Sequence, residues 1–172
     1  TSCSSDDGLF IDTYRPAVSS PLWDPSCTGI TYPRFLSWRA DDPAYTTANL
    51  AHDASCLASL GTLGCGFEQH LEAAFRALTT HLIGDGLNNM PGEPFLRANS
   101  ILAVVFLGDE DDCSASDYDL FDPTRTDLGS ANLRCFNNPT YLHPVARYRD
   151  GFLRDILPTH PIDRIVVADI GG

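Results

Sequence analysis

Two runs of apolar residues limit what this chain can fold into more than any other feature. Residues 101–107, ILAVVFL, and residues 164–170, RIVVADI, are nearly unbroken in hydrophobicity and do not alternate between apolar and polar side chains. A strand that shows one face to water alternates, whereas a strand enclosed on both faces by helices does not. Between the two runs, Val145, Tyr148, Phe152, Ile156 and Leu157 recur at helical spacing behind Pro144, a residue suited to a first helical turn. Strand, helix, strand is the order of a parallel crossover. The expectation is an α/β domain with a mostly parallel, right-handed sheet flanked by helices on both faces.

The clearest helix lies upstream. Phe67, Leu71, Ala74, Phe75, Leu78 and Leu82 form one continuous apolar stripe, with Glu68, Glu72 and Arg76 facing solvent. Gly64 and Gly66 mark its start, and Gly84 and Gly86 its end. An earlier helix is expected over residues 46–60, with Leu50, Ala54 and Leu57 on its apolar side, Thr46 or Thr47 as N-cap and Gly61 as its stop. Before it, Pro16, Pro21, Pro25 and Pro33 stand among Ser, Asp and Thr, the composition of long irregular structure. The chain divides into an irregular, disulfide-tied segment, 1–45, and the α/β core of the same domain, 46–172.

At 172 residues, 43% of them hydrophobic and 20% charged, the chain is long enough for one buried core. Its net charge of -12 repels nucleic acid and anionic lipid and favours metal ions or cationic partners. All eleven basic residues are arginine, which excludes lysine Schiff-base chemistry and a phosphate-loop lysine. No run is long enough for a transmembrane segment. The histidines His52, His70, His81, His143 and His160 are scattered, with no paired-ligand motif.

Six cysteines, Cys3, Cys27, Cys56, Cys65, Cys113 and Cys135, lack the close pairs of a zinc site and read as disulfides of an exported, extracytoplasmic protein. Fifteen pairings are open to six cysteines. The expectation is the nearest-neighbour set, Cys3–Cys27, Cys56–Cys65 and Cys113–Cys135, which staples three local excursions.

After the first apolar run comes Gly108 and then four acids, Asp109, Glu110, Asp111 and Asp112. In open parallel sheets, ligands sit at the carboxyl ends of the strands, and Asp109 stands at such an end. The blocks LGTLGCGFEQHLEAAFRAL (60–78), FLRANSILAVVFLGDEDDCS (95–114) and RIVVADIGG (164–172) resemble the later part of a von Willebrand factor type A domain, in a secreted or lipid-anchored, cysteine-containing bacterial form like those of myxobacteria. The resemblance implies a Rossmann-like fold and a non-enzymatic adhesion module that binds a protein or other macromolecule through a divalent ion. In that family the ion is held by a D-x-S-x-S motif after the first strand, a threonine from a second loop and an aspartate after a later strand. Asp109 matches the aspartate and Thr62 the threonine, with Glu110 and Asp111 as further candidates. Gly108 stands where family members more often carry Thr, a change expected to loosen the turn. No D-x-S-x-S follows an apolar strand here, so the expectation is a piece whose first strand lies upstream.

The chemistry agrees in outline. Mg²⁺ and Ca²⁺ are hard ions that take oxygen ligands, and a cation would relieve the repulsion among adjacent acids. Alternatively, Glu110, Asp111 and Asp112 form a solvated turn with Ser114 as a helix cap. A metal-dependent hydrolase built on Asp109 to Asp112 is a second functional alternative, lacking a nucleophile elbow of the G-x-S-x-G kind. A structural domain of the same type with a degenerate metal site is the third.

Overall fold

The computed structural model describes residues 6–61, 66–158 and 160–171. Its helices are α1 (Thr47–Ala58), α2 (His70–Phe75), α3 (Arg134–Asn137) and α4 (Ala146–Asp155). Its strands are β1 (Leu102–Gly108) and β2 (Ile165–Gly171). The strands are parallel neighbours, in unbroken register from Leu102 opposite Ile165 to Gly108 opposite Gly171. This is mixed α/β architecture with a parallel sheet of two strands among the described residues.

The helix α2 continues through Arg76–Gly84 in wider π-helical turns, ending where the Asp85 N–H donates to the Thr80 carbonyl at 2.8 Å. From this stretch Leu78 and Leu82 are buried with Leu102 of β1 and Ile156 just beyond α4. Val104, Phe152 and Ile165 pack against them. Each such side chain contributes about 1.5–3 kcal/mol by leaving water.

The two covering helices also grip each other. Phe75 meets Tyr148 and Phe152 edge-on, each at 5.8 Å between ring centres. Gly151 makes this approach possible, since a Cβ there would lie 2.2 Å from the Phe75 ring. The buried Glu72 carboxylate accepts two hydrogen bonds from Arg147, both 2.9 Å, and the Arg147 guanidinium lies 4.7 Å from the centre of the Phe75 ring.

Because α2 and α4 lie together on one face, the expectation of a sheet covered on both faces fails among the described residues. In a parallel pair, registered residues share a face, so the other face presents Ala103, Val105 and Leu107 beside Val166, Ala168 and Ile170. Leu107 is 72% exposed and Ile170 59%. Six apolar residues and no charge make up this bare surface.

Helix α1 starts as expected. Thr46 accepts from the Asn49 N–H and the Asn49 side chain accepts from the Thr46 N–H, a reciprocal capping box. Helix α2 starts three residues after the predicted Phe67, which instead packs on Phe121 at 4.5 Å. The segment before α1 is irregular apart from a short 3-10 turn, Pro25–Cys27. It is fixed to α2 by Asn88, fully buried, which accepts from the Phe10 N–H at 2.8 Å and donates to the Gly8 and Ala77 carbonyls. Gly8 has φ +83°, and a Cβ there would lie 2.6 Å from the Ala77 nitrogen.

The disulfides correct the nearest-neighbour expectation. Cys27 pairs with Cys56 across 29 residues, which rules out both Cys3–Cys27 and Cys56–Cys65. The irregular segment packs onto α1 and brings the two Cα atoms to 5.5 Å, so proximity in space replaces proximity in sequence. Cys113 pairs with Cys135. Cys3 and Cys65 lie outside the described residues. Loops of these lengths give bridges worth about 3–4 kcal/mol through restriction of the unfolded chain.

Peptide mapping under non-reducing conditions is expected to recover the 27–56 and 113–135 pairs; a 56–65 bridge would contradict this packing. In urea denaturation, Leu102→Ala should cost about 2–5 kcal/mol, as for a buried leucine. Val105→Ala, on the bare face, should stay within about 0.5 kcal/mol. Equal losses at the two positions would mean that both faces are covered.

Candidate functional site

Strand β1 leaves the sheet at Gly108, and the His70 ring lies directly over that glycine. A Cβ at Gly108 would come within 2.7 Å of His70 Cε1, so a threonine there would collide with the imidazole. His70 thus occupies the space that a side chain at position 108 would need.

The four acids that follow divide by role. Asp112 is half-buried, and its Oδ1 accepts from the Leu71 N–H and the Ser114 hydroxyl, both at 2.9 Å, while its Oδ2 accepts from the Ser114 N–H at 3.0 Å. The buried Ser114 Oγ accepts from the Glu72 N–H at 3.0 Å. Together they satisfy the first free N–H groups of α2, the task of an N-cap, from 41 and 42 residues away. The Cys113 N–H donates to the Glu68 carbonyl and completes the junction. Ser114 does cap a helix, but the earlier one rather than one that follows it.

Asp109, Glu110 and Asp111 are exposed and enter no hydrogen bond or ion pair among the described residues. They border two adjoining clefts. One, of about 750 Å³, lies between the acids, Glu68 and the side chains of Asn132 and Phe136. The other, of about 450 Å³, is lined by His70, Gly108, Glu110, Asp111, Asp169 and Gly171 at the ends of both strands. Among the described residues no arginine lines either cleft. His70 Nε2 stands 3.8 Å from Glu68 Oε2.

The far wall of the larger cleft belongs to a lobe stapled by Cys113–Cys135 around buried Leu120, Phe121 and Leu128. Its organiser is Arg134, 5% exposed, whose guanidinium donates to the carbonyls of Leu120, Asp122, Arg125 and Gly129. One rigid fork thereby ties four carbonyls of successive turns to a single point. At the surface of the lobe, the Asp122 carboxylate accepts from the N–H and hydroxyl of Thr124 and is held below the usual carboxylate range. Phe136, the residue after Cys135, is 81% exposed at the cleft rim.

For a hard divalent ion, the test is whether oxygen atoms converge. The one group of three or more His, Cys, Asp or Glu ligand atoms within 4.8 Å of one another among the described residues is Cys27, His52 and Cys56, on the opposite side of the sequence from the acids. Asp109, Glu110 and Asp111 line an open rim rather than a formed cage. Thr62, the candidate hydroxyl ligand, lies outside the described residues. An ion at Asp109 would take most of its shell from water or from further protein oxygens.

Sequence reasoning placed Asp109, Glu110 and Asp111 correctly at a strand end but missed His70, Asp169, Arg134 and Phe136. Asp169 carried a signal, as the single charge near the end of an apolar strand. The other three carried none, because each takes its role from a segment distant in the chain. No protein-family model matches the sequence, no curated protein matches it, and no solved structure matches the fold.

The division of the acids has a measurable consequence. Asp112→Ala should lower stability by about 1–2 kcal/mol, the cost of a lost cap with its N–H groups unpaired. Asp109→Ala should change it by less than about 0.5 kcal/mol. A comparable loss at both positions, followed by chemical denaturation, would refute the assignment.

Proposed function

We propose that this domain is a non-enzymatic binding module of the von Willebrand factor type A kind, which contacts a protein or other macromolecular ligand at the carboxyl end of its parallel strands. The observation that carries the reading is the trio Asp109, Glu110 and Asp111, exposed and without cationic partners on a cleft beside the exposed Phe136. Water-exposed acids next to an accessible aromatic ring suit a ligand with positive charge or a bridging divalent ion. In the ion-bridged form, Asp109 supplies a carboxylate to Mg²⁺ or Ca²⁺ and the ligand supplies another. The parallel register of β1 and β2, and the quoted blocks around residues 64–69 and 109–114, support the family assignment.

The disulfides Cys27–Cys56 and Cys113–Cys135 fit an oxidising environment, and no described helix is long and apolar enough to cross a membrane. Export, as a secreted, periplasmic or lipid-anchored protein, belongs to the same proposal. One observation favours a second reading, a domain of this type with a degenerate metal site: Asp112 is committed to capping α2, and the remaining acids do not converge.

Calorimetric titration with Mg²⁺, Mn²⁺ and Ca²⁺ separates the two. The binding reading expects weak association, on the order of 10⁻⁴–10⁻³ M as in open extracellular sites, abolished in Asp109→Ala. Absence of binding in the parent protein would favour the degenerate reading. Undiminished binding in Asp109→Ala would remove Asp109 from the site.

A further inference from the structure

The Cys27–Cys56 bridge has an unusual neighbour. His52 precedes Cys56 by one helical turn on α1, and its Nε2 and Nδ1 lie 3.8 and 3.9 Å from Cys56 Sγ. Both cysteines are buried, at 3% and 1% exposure, while the His52 side chain is 43% exposed and opens the cluster to solvent on one side. The imidazole is also held in place. Its Nδ1 is 3.1 Å from Asp53 Oδ1, and Asp53 Oδ2 accepts from the Tyr45 hydroxyl at 2.8 Å. Burial and this hydrogen bond push the Tyr45 phenol up to about 12, so it stays a donor. A carboxylate that holds the Nδ1 proton leaves Nε2 as the nitrogen able to bind a metal, the outer-shell arrangement common behind histidine ligands. The Ser26 hydroxyl, on the turn that carries Cys27, lies 3.0 Å from Nε2 and itself donates to Asp24 Oδ1 at 2.7 Å, so Nε2 must give up this contact, and any proton it shares there, before it binds a metal.

We propose that Cys27, Cys56 and His52 form a redox-gated site for a thiophilic divalent ion, Zn²⁺ by preference, closed as a disulfide when oxidised and open to metal when reduced. In the oxidised protein each sulfur is bonded to the other, and neither is a thiolate. A dithiol reductant cleaves the S–S bond, delivering two electrons and two protons and itself becoming a disulfide, and leaves two thiols. Zn²⁺ then binds both sulfurs as thiolates, with two protons released to solvent, and takes His52 Nε2 in place of the Ser26 contact. Two thiolates and one imidazole are a ligand set that zinc accepts, and the exposed side near His52 leaves a fourth position for water. The ligand atoms lie within 4.8 Å of one another, so after reduction the two sulfurs must separate from bonding distance while His52 is already within reach. This site differs in kind from the acidic rim, whose carboxylates are hard oxygen ligands and which offers no sulfur among its free side chains.

The test uses the whole chain, reduced with a phosphine under anaerobic conditions and titrated with Co²⁺ as a spectroscopic stand-in for Zn²⁺. One equivalent should produce thiolate-to-cobalt charge-transfer absorption with the visible bands of a tetrahedral ion, and Zn²⁺ should bleach both. His52→Ala should weaken binding at least tenfold, Cys27→Ser should remove the charge-transfer band of this site, and Cys113→Ser should leave it unchanged. Zn²⁺ should also raise the unfolding midpoint of the reduced parent by more than that of reduced His52→Ala. The proposal is overturned if the reduced parent shows no thiolate band, if His52→Ala binds as tightly as the parent, or if the oxidised protein binds equally well.

Discussion

The junction between the end of β1 and the start of α2 is the contact on which the rest of the structure depends. Asp112 and Ser114 accept the first free N–H groups of α2, and the backbone of Cys113 ties the same turn to Glu68. This fixes where the helix begins and how it sits against the sheet, which in turn places Leu78 and Leu82 over Leu102. It also places His70 over Gly108 and so shapes the cleft at the strand ends. A helix end buried without acceptors would cost several hydrogen bonds' worth of desolvation. Here the acceptors come from the acidic turn itself, so one residue of that turn is structural and three remain free.

Much of the fold was legible because it follows from local pattern. The two apolar runs are parallel strands, the 46–60 pattern is a helix with its cap at Thr46, and the spacing around Phe152 and Ile156 marks α4 and its buried edge. What was not legible comes from partners far apart in sequence. The stripe holds for Phe75, Leu78 and Leu82, but Phe67 falls before the helix and packs on Phe121, and Glu72, expected to face solvent, is buried against Arg147. The first turn is set by Asp112, which no helical period reveals. The pairing of Cys27 with Cys56 depends on how an irregular segment lies on α1. Arg134 reads as an ordinary surface arginine until four carbonyls are seen to converge on it.

At the candidate site the same division holds. An aspartate directly after an apolar strand is a strong positional signal, and Asp109 stands at the strand end as expected. Geometry adds that Asp112 is a cap, and that an aromatic residue from a disulfide-bound lobe borders the acids. The lobe is held by one bridge, one buried guanidinium and a small apolar cluster. Phe136 follows the bridged Cys135 and stays exposed on the cleft rim.

The bare face of the sheet has a consequence for how the molecules behave in a crowd. An apolar sheet face open to water invites face-to-face contact between copies. Against this stands a net charge of -12, which makes any two copies repel over about a Debye length. Colloidal stability is thus a contest between a short-range sticky surface and a long-range field that dissolved salt weakens. The acidity of the chain opposes contact between the faces left bare among the described residues, and its reach shrinks from about 10 Å at 0.1 M salt to about 3 Å at 1 M.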